Sequence, residues 1–352
     1  MKALVLAGGS GTRLRPLSHT MAKQLIPIAG RPVLMHCLAN LAEIGVTEVG
    51  MIVGSRGAEV SAAVGDGSDF GMRVTFIQQQ KPLGLAHCVR LARDFLGEDD
   101  FVMYLGDNVL ASGIAPAAAD FTERRPDAQI LLTRVANPRE FGVAELDAEG
   151  RIISLQEKPE KPRSDLAMTG VYFFTPAIHE AVAAIKPSRR GELEITDALA
   201  WLVDQGRDVR ATEFLGYWKD TGKVDDILEA NRVLMEQIKR HVVGEVDAVS
   251  ILIGEVVLGA GARIIDSQVT GPAVIGPGTT VRGSRIGPYT SLGRDCTLDG
   301  AGIEYSIVLD GVSVRDVNGL HGSLIGREAA VTAGTANTRR LVIGDHAKVE
   351  VS

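Results

Sequence analysis

The chain has 352 residues, 45% of them hydrophobic, and a formal net charge of -7. That length allows two domains with buried cores, and the acidic balance argues against nucleic-acid or membrane partners while permitting a local cationic pocket for an anionic small molecule. Cys37, Cys88 and Cys296 lie too far apart for a C-x-x-C pair or a disulfide framework; with no leader segment and no apolar run of ~18 residues, a cytoplasmic location is expected.

The first predicted element is a strand over 2–7, an almost wholly apolar run of the kind a buried parallel strand shows. It breaks into Gly8-Gly9-Ser10-Gly11-Thr12-Arg13-Leu14-Arg15-Pro16. Glycines without Cβ let backbone N–H groups approach an anion. Arg13, Arg15 and Lys23 place three cations around one loop, more than a simple strand–turn–helix corner requires. The residue order fits neither the P-loop nor the G-x-G-x-x-G dinucleotide fingerprint.

Further strands are predicted over 48–53, 73–77, 101–105, 128–134, 143–146 and 170–174, and helices over 32–44, 57–65, 85–96 and 195–205. Alternation of this kind predicts an α/β sheet covered by helices. Parallel order with right-handed crossovers is the default for the first four strands. The cleft then falls at their carboxyl ends, where the glycine loop meets the turn Leu105-Gly106-Asp107-Asn108.

Asp107 ends an apolar strand and suits either an Asx turn or a Mg²⁺ ligand, since magnesium needs only one or two carboxylates beside substrate phosphates. Asp220, in Gly216-Tyr217-Trp218-Lys219-Asp220-Thr221-Gly222, is the candidate second carboxylate; its other reading is a cap of the following helix. Glu157-Lys158-Pro159 closes a strand-like run over 152–156 and reads either as a solvated pair or as a sugar-hydroxyl acceptor beside a phosphate-binding cation. The charge-dense stretch over 190–197 reads as a helix start, with Glu194 or Thr196 as cap, and is given no catalytic role. No histidine or serine stands in a nucleophile motif. A reaction whose nucleophile is already anionic needs no such base.

Residues from 224 to about 240 predict a linker helix with Ile227, Leu228, Leu234, Met235 and Ile238 on its apolar face. Beyond it apolar–glycine pairs recur at five- to six-residue spacing: Ile253-Gly254, Leu258-Gly259, Ile275-Gly276, Ile286-Gly287 and Leu292-Gly293. This grammar predicts a left-handed parallel β-helix of hexapeptide type, regular over 251–299 and looser afterwards. The expected division is a catalytic domain over 1–240, linker helix included, and a β-helix over 241–352.

Taken in order, the Gly8–Leu14 loop, Lys23, Gly84-Leu85-Ala86, Leu105–Asn108, Glu157-Lys158-Pro159, the 191–197 stretch and Trp218-Lys219-Asp220-Thr221-Gly222 resemble the sugar-1-phosphate nucleotidylyltransferases. Within that family the chain is similar to the long-form glucose-1-phosphate thymidylyltransferases, which end in a left-handed β-helix. The resemblance spans essentially the whole chain. It implies a Rossmann-like, mainly parallel sheet domain that joins dTTP and α-D-glucose 1-phosphate into dTDP-glucose and pyrophosphate, with Mg²⁺ as cofactor.

By the same resemblance, Arg13 and Lys23 meet the nucleotide phosphates, Lys158 the sugar phosphate, and Asp107 with Asp220 the metal. Leu6, Gly8, Gly9, Gly11, Thr12 and Gly84 frame the nucleotide, and Gln79 reads the thymine edge, with Gln78 and Gln80 as neighbouring registers. Gly142, Glu157 and Met168 line the sugar site; Phe141 and Met168 replace a tyrosine and a valine common in the family. A homo-oligomer is implied. Alternatives are a UTP-using uridylyltransferase, since a single methyl separates the bases, a bifunctional enzyme with acetyl transfer at His321, and a non-catalytic nucleotide-sugar sensor.

Overall fold

The structure is a computed structural model; it describes residues 1–9, 11–148, 150–332, 341–346 and 348–350, so Ser10 of the glycine loop and parts of the last coils lie outside the described residues. The chain divides into two compact units, one formed by 1–10 and 34–220, the other by 11–33 and 221–352.

The first unit is built on a nine-stranded sheet. Lys2–Ala7 lies at its centre, parallel to Glu48–Val53 on one side and to Phe101–Leu105 on the other, and Arg73–Gln78 extends the parallel part beyond Glu48–Val53. Residues Ala3 to Ala7 are all buried, which is why this strand carries no polar alternation. Leu166–Phe174 then runs antiparallel to Phe101–Leu105 and makes the sheet mixed. Because the chain continues from Lys2–Ala7 outward on one side and returns at Phe101–Leu105 on the other, strand order reverses between these two neighbours. Such a reversal opens a crevice at the carboxyl ends of the strands.

Four of the predicted strands have the bounds read from sequence, and the others differ by one to four residues at one end. The helix predicted over 85–96 is divided into Leu85–Leu91 and Arg93–Leu96 at Ala92, whose ψ of 4° leaves the helical range. Asn108–Leu110 and Trp218–Asp220, each three residues long, form a separate two-stranded ribbon. Strands this short carry too little alternation to be read in advance.

In the second unit the helix runs over Val224–Met235, shorter than the apolar pattern suggested, and Ile238 follows in a turn. The chain is then taken up by the first coil, where His241–Val242 pairs with Val257 and Leu258. Three parallel sheets stack their strands coil upon coil, as expected of a left-handed parallel β-helix. A coil advances by 17 residues, Val256 pairing with Ala273 and Ala273 with Thr290. The looser sequence after 299 does not break this ladder: Ile303, Val308, Val314, Leu320, Ile325 and Val331 keep the inward positions apolar and buried. One coil is merely a residue shorter, with Leu292 facing Val308.

The same unit contains the hairpin of Pro27–Ile28 and Arg31–Pro32, whose two-residue turn places Ala29 at φ 48° and Gly30 at φ 75°. Both central residues at positive φ match the twist of a tight hairpin. Among the described residues no helix is long and apolar enough to cross a membrane.

Candidate active site

At the carboxyl end of Lys2–Ala7 the backbone passes against that of Gly54, so closely that a Cβ on Gly54 would stand 2.7 Å from the Gly8 carbonyl oxygen. Gly106 donates its N–H to the Leu6 carbonyl at 2.9 Å, which joins the two turns on either side of the strand-order reversal. Leu6, Gly8 and Gly9 therefore border the crevice. Gln79 follows the neighbouring Arg73–Gln78 strand and is 8% exposed. Gln78 bonds the Gly54 carbonyl, and Gln80 is exposed. Of the three glutamines, only Gln79 is buried against the loop.

Gly84 has φ 101°, and a Cβ there would lie 2.3 Å from the Leu193 carbonyl oxygen. Ala86 donates to that oxygen, and Leu193 donates to Leu83. A glycine is thus demanded where the 190–197 stretch docks.

The ribbon brings the two candidate metal carboxylates together. Asp220 is the antiparallel register partner of Asn108, and Asp107 is the residue before it. Lys223, not Asp220, occupies the N-cap of the following helix. Asn108 donates Nδ2 to Asp107 Oδ1 at 3.0 Å, and Trp218 Nε1 donates to Asn108 Oδ1 at 2.9 Å and to the Thr169 carbonyl at 2.8 Å. Among the described residues no group of three or more His, Cys, Asp and Glu gathers. The two-carboxylate set suits a magnesium ion that fills its remaining positions with water and phosphate oxygens.

A second cluster lies one strand further. Glu157 is the register partner of Gly142, and a Cβ on Gly142 would meet Met168 Cε at 2.1 Å, Thr196 Cγ2 at 3.0 Å and Glu157 Oε2 at 3.2 Å. Gly142, Glu157 and Met168 thus share one wall. Arg190 Nη1 reaches Glu157 Oε1 at 3.2 Å and Glu194 Oε1 at 3.3 Å. Burial pushes the Glu157 carboxyl above the usual range, with Lys158 and Arg190 pulling it back. Glu194, 4% exposed, is also raised by burial, although Ser188 donates to it. Glu194 stands at the N-cap of Ile195–Asp204 without making a cap bond. Lys158 has φ 44° and donates its N–H to the Phe141 carbonyl at 3.0 Å. Left-handed backbone is uncommon for a lysine and concentrates at functional positions.

In the second unit Gly11, at φ 63°, precedes the short helix Thr12–Leu14, and a Cβ on it would lie 3.1 Å from Lys23 Cβ. Gly11, Thr12, Arg13 and Lys23 are therefore neighbours. Thr12 and Arg13 are exposed, and Lys23 is half-buried.

The family model described as "Nucleotidyl transferase" matches residues 2–237. The chain belongs to the nucleotidyl transferase family. Over its full length this nucleotidyl transferase is 55% identical to the glucose-1-phosphate thymidylyltransferase of Streptomyces griseus, covering all of both chains. It is 42% identical to the low-salt glycan biosynthesis nucleotidyltransferase Agl11 of Haloferax volcanii, again over all of both. A solved Bacillus anthracis chain assigned to the glucose-1-phosphate thymidylyltransferases, crystallised with sucrose, superposes with a TM-score of 0.64 at 35% identity. It covers 68% of this chain and 97% of its own.

In the sequence alone Arg190 reads as part of a helix start and Glu194 or Thr196 as its cap, with no part in the site. Their signal was the charge density of 190–197, which in this nucleotidyl transferase serves as more than a helix start: Arg190 links Glu157 to Glu194.

Proposed function

We propose that this nucleotidyl transferase joins dTTP and glucose 1-phosphate to give dTDP-glucose and pyrophosphate. The observation that carries the reading is the 55% identity, over both whole chains, with the Streptomyces griseus glucose-1-phosphate thymidylyltransferase. The sugar-phosphate oxygen attacks the α-phosphorus of the nucleotide in line and pyrophosphate leaves. Such a transfer demands positioning and charge neutralisation rather than covalent chemistry from the protein.

Asp107 and Asp220 would hold the divalent ion, proposed to be Mg²⁺, which when bound neutralises phosphate charge and makes phosphorus more electrophilic. Arg13 and Lys23 bind the phosphates that depart as pyrophosphate, and Lys158 binds and orients the phosphate of the sugar. Leu6, Gly8, Gly9, Gly11, Thr12 and Gly84 shape the nucleotide site, and Gln79 reads the base. Gly142 leaves room for the glucose ring, against which Met168 packs, while Glu157 accepts from its hydroxyls. The catalytic part is proposed to comprise 1–240, consistent with the family match to 2–237, and the β-helix over 241–352 to serve assembly of a homo-oligomer.

The test is pyrophosphate release across dTTP, UTP, ATP, GTP and CTP combined with glucose, galactose, glucosamine and mannose 1-phosphates. Turnover with dTTP and glucose 1-phosphate is expected to lead, with UTP next, because a methyl-sized difference discriminates by only ~1–3 kcal/mol. Absence of turnover with both dTTP and UTP on glucose 1-phosphate overturns the reading.

A further inference from the structure

Gln79 sits in a hydrogen-bond chain whose direction is set from one end. The Gly84 carbonyl oxygen can only accept, so the Cys88 thiol 3.6 Å away donates to it. Burial pushes that thiol up to about 12, and it keeps its proton. The sulfur is then an acceptor for the side-chain amide of Gln79 at 3.2 Å. Only the amide nitrogen has protons to give, which fixes the orientation of the amide: Nε2 faces Cys88. The same Nε2 lies 3.1 Å from His87 Nδ1, so Nδ1 accepts and the imidazole carries its proton on Nε2. Burial, with Arg90 adding to it, lowers the affinity of His87 for a second proton. Both protons of the Gln79 amide are thereby committed. Its oxygen Oε1 accepts no hydrogen bond among the described residues. Oε1 is turned toward the glycine loop, 3.4 Å from where a Cβ on Gly8 would be.

We infer that His87 is a specificity-positioning residue: together with Cys88 it holds Gln79 with its oxygen toward the nucleobase, selecting bases that offer an imide N–H and rejecting bases that offer a lone pair there. The inference rests on the reading of Gln79 as the residue that meets the base. Thymine and uracil present N3–H, whereas cytosine presents an unprotonated N3. A freely rotating glutamine amide could serve either base by exchanging oxygen and nitrogen. With His87 and Cys88 in place, that rotation turns Oε1 onto Nδ1 and the sulfur, and accommodating it requires Cys88 to give up its bond to the Gly84 carbonyl and His87 to move its proton from Nε2 to Nδ1. The pyrimidine preference is thus built into residues that need not touch the base.

The test compares full-length His87→Phe, His87→Asn and Gln79→Leu in steady-state assays with dTTP, and measures dCTP as a competitor of dTTP, with melting curves for each variant. For His87→Phe the dTTP KM is expected to rise about tenfold, with kcat within about twofold and the preference for dTTP over dCTP falling about tenfold, the scale of one mis-set hydrogen bond. His87→Asn, whose Oδ1 can take the place of Nδ1, restores most of both. Should the phenylalanine variant not fold, His87→Leu replaces it. If Gln79→Leu loses the preference while the His87 variants keep it, Gln79 reads the base and the positioning role is overturned. If Gln79→Leu keeps the preference, the base-reading assignment falls and this inference with it. Equal losses for every nucleotide, unrelieved by His87→Asn, would mark a merely structural histidine and also overturn it.

Discussion

Trp218 and Asn108 are joined by an indole N–H to amide oxygen bond of 2.9 Å, and that bond leaves the Asn108 nitrogen facing Asp107. The orientation of one candidate metal carboxylate is therefore set from the strand that carries the other, since Trp218 and Asp220 share a three-residue strand. Trp218→Phe keeps an aromatic ring for the edge-on contact with Phe141, now at 5.2 Å between centroids, but removes both indole bonds. The Mg²⁺ concentration for half-maximal rate is expected to rise several-fold, with a smaller change in the rate at saturating metal. A magnesium titration of pyrophosphate release measures it, and an unchanged midpoint would detach the ribbon from metal binding.

Asp107→Asn and Asp220→Asn each remove one negative ligand while conserving shape. Loss of a charge-stabilising group of this kind costs about 3–4 kcal/mol in the transition state, or two to three orders of magnitude in kcat. Both positions are only half-buried, so melting temperatures should stay within a few degrees. Retained turnover in either variant would remove that carboxylate from the metal site.

Gly142 lies against Met168, Thr196 and Glu157 with no room for a methyl group unless the end of Met168 moves. Gly142→Ala is expected to raise the KM for glucose 1-phosphate about tenfold and leave that for dTTP within about twofold. Methionine is flexible enough to yield, so the protein should still fold. Equal effects on both substrates would place this wall outside the sugar site.

Arg190 bridges Glu157 and Glu194, and both carboxyls are raised by burial. The cation favours their ionised forms, so Arg190→Ala should push both further up. A raised carboxyl takes its proton at higher pH, and a protonated Glu157 can no longer accept from two sugar hydroxyls. On acidification the KM for glucose 1-phosphate should therefore begin to climb at higher pH in Arg190→Ala than in the parent, the two converging at alkaline pH. Arg190→Lys should lie between them. Superimposable pH profiles would show that this network does not govern sugar binding.

The strand bearing Leu6 and the repeats bearing Ile275 and Leu292 were legible because burial on both faces and coil stacking each impose a period on apolar residues. The turn holding Asp107 was legible for the same reason, as the end of such a strand. What stayed hidden depends on contacts distant in sequence. The ribbon of Asn108–Leu110 with Trp218–Asp220 is only three residues wide, and its register alone pairs Asp220 with Asn108. Arg190 and Glu194 read locally as a helix start, and only the docking of Leu193 on Gly84 reveals them as neighbours of the Glu157 wall. Gln79 was named by its place five residues before Gly84, and its burial, which the exposed Gln78 and Gln80 lack, comes from a packing that no local pattern carries.

Asn231 on the Val224–Met235 helix is 1% exposed and satisfies two backbone groups at once. Its Oδ1 accepts from the Ala29 N–H at 2.8 Å, and its Nδ2 donates to the Tyr289 carbonyl at 3.0 Å. Ala29 and Tyr289 have φ of 48° and 60°, in the left-handed region that non-glycine residues enter at a cost. The asparagine thus holds two strained positions, one in the 27–32 hairpin and one in the β-helix, within a single unit. Asn231→Leu fills similar volume but leaves the half-buried Ala29 N–H and Tyr289 carbonyl without this partner, at about 1 kcal/mol each. A melting temperature lowered by several degrees is expected, with faster hydrogen exchange at the Ala29 amide. Ala29→Gly, which relieves the strain in the hairpin turn, should recover part of the loss. If Ala29 exchanges at the parent rate in Asn231→Leu, the amide bond is not what orders the hairpin, and packing of Pro27 and Pro32 must suffice.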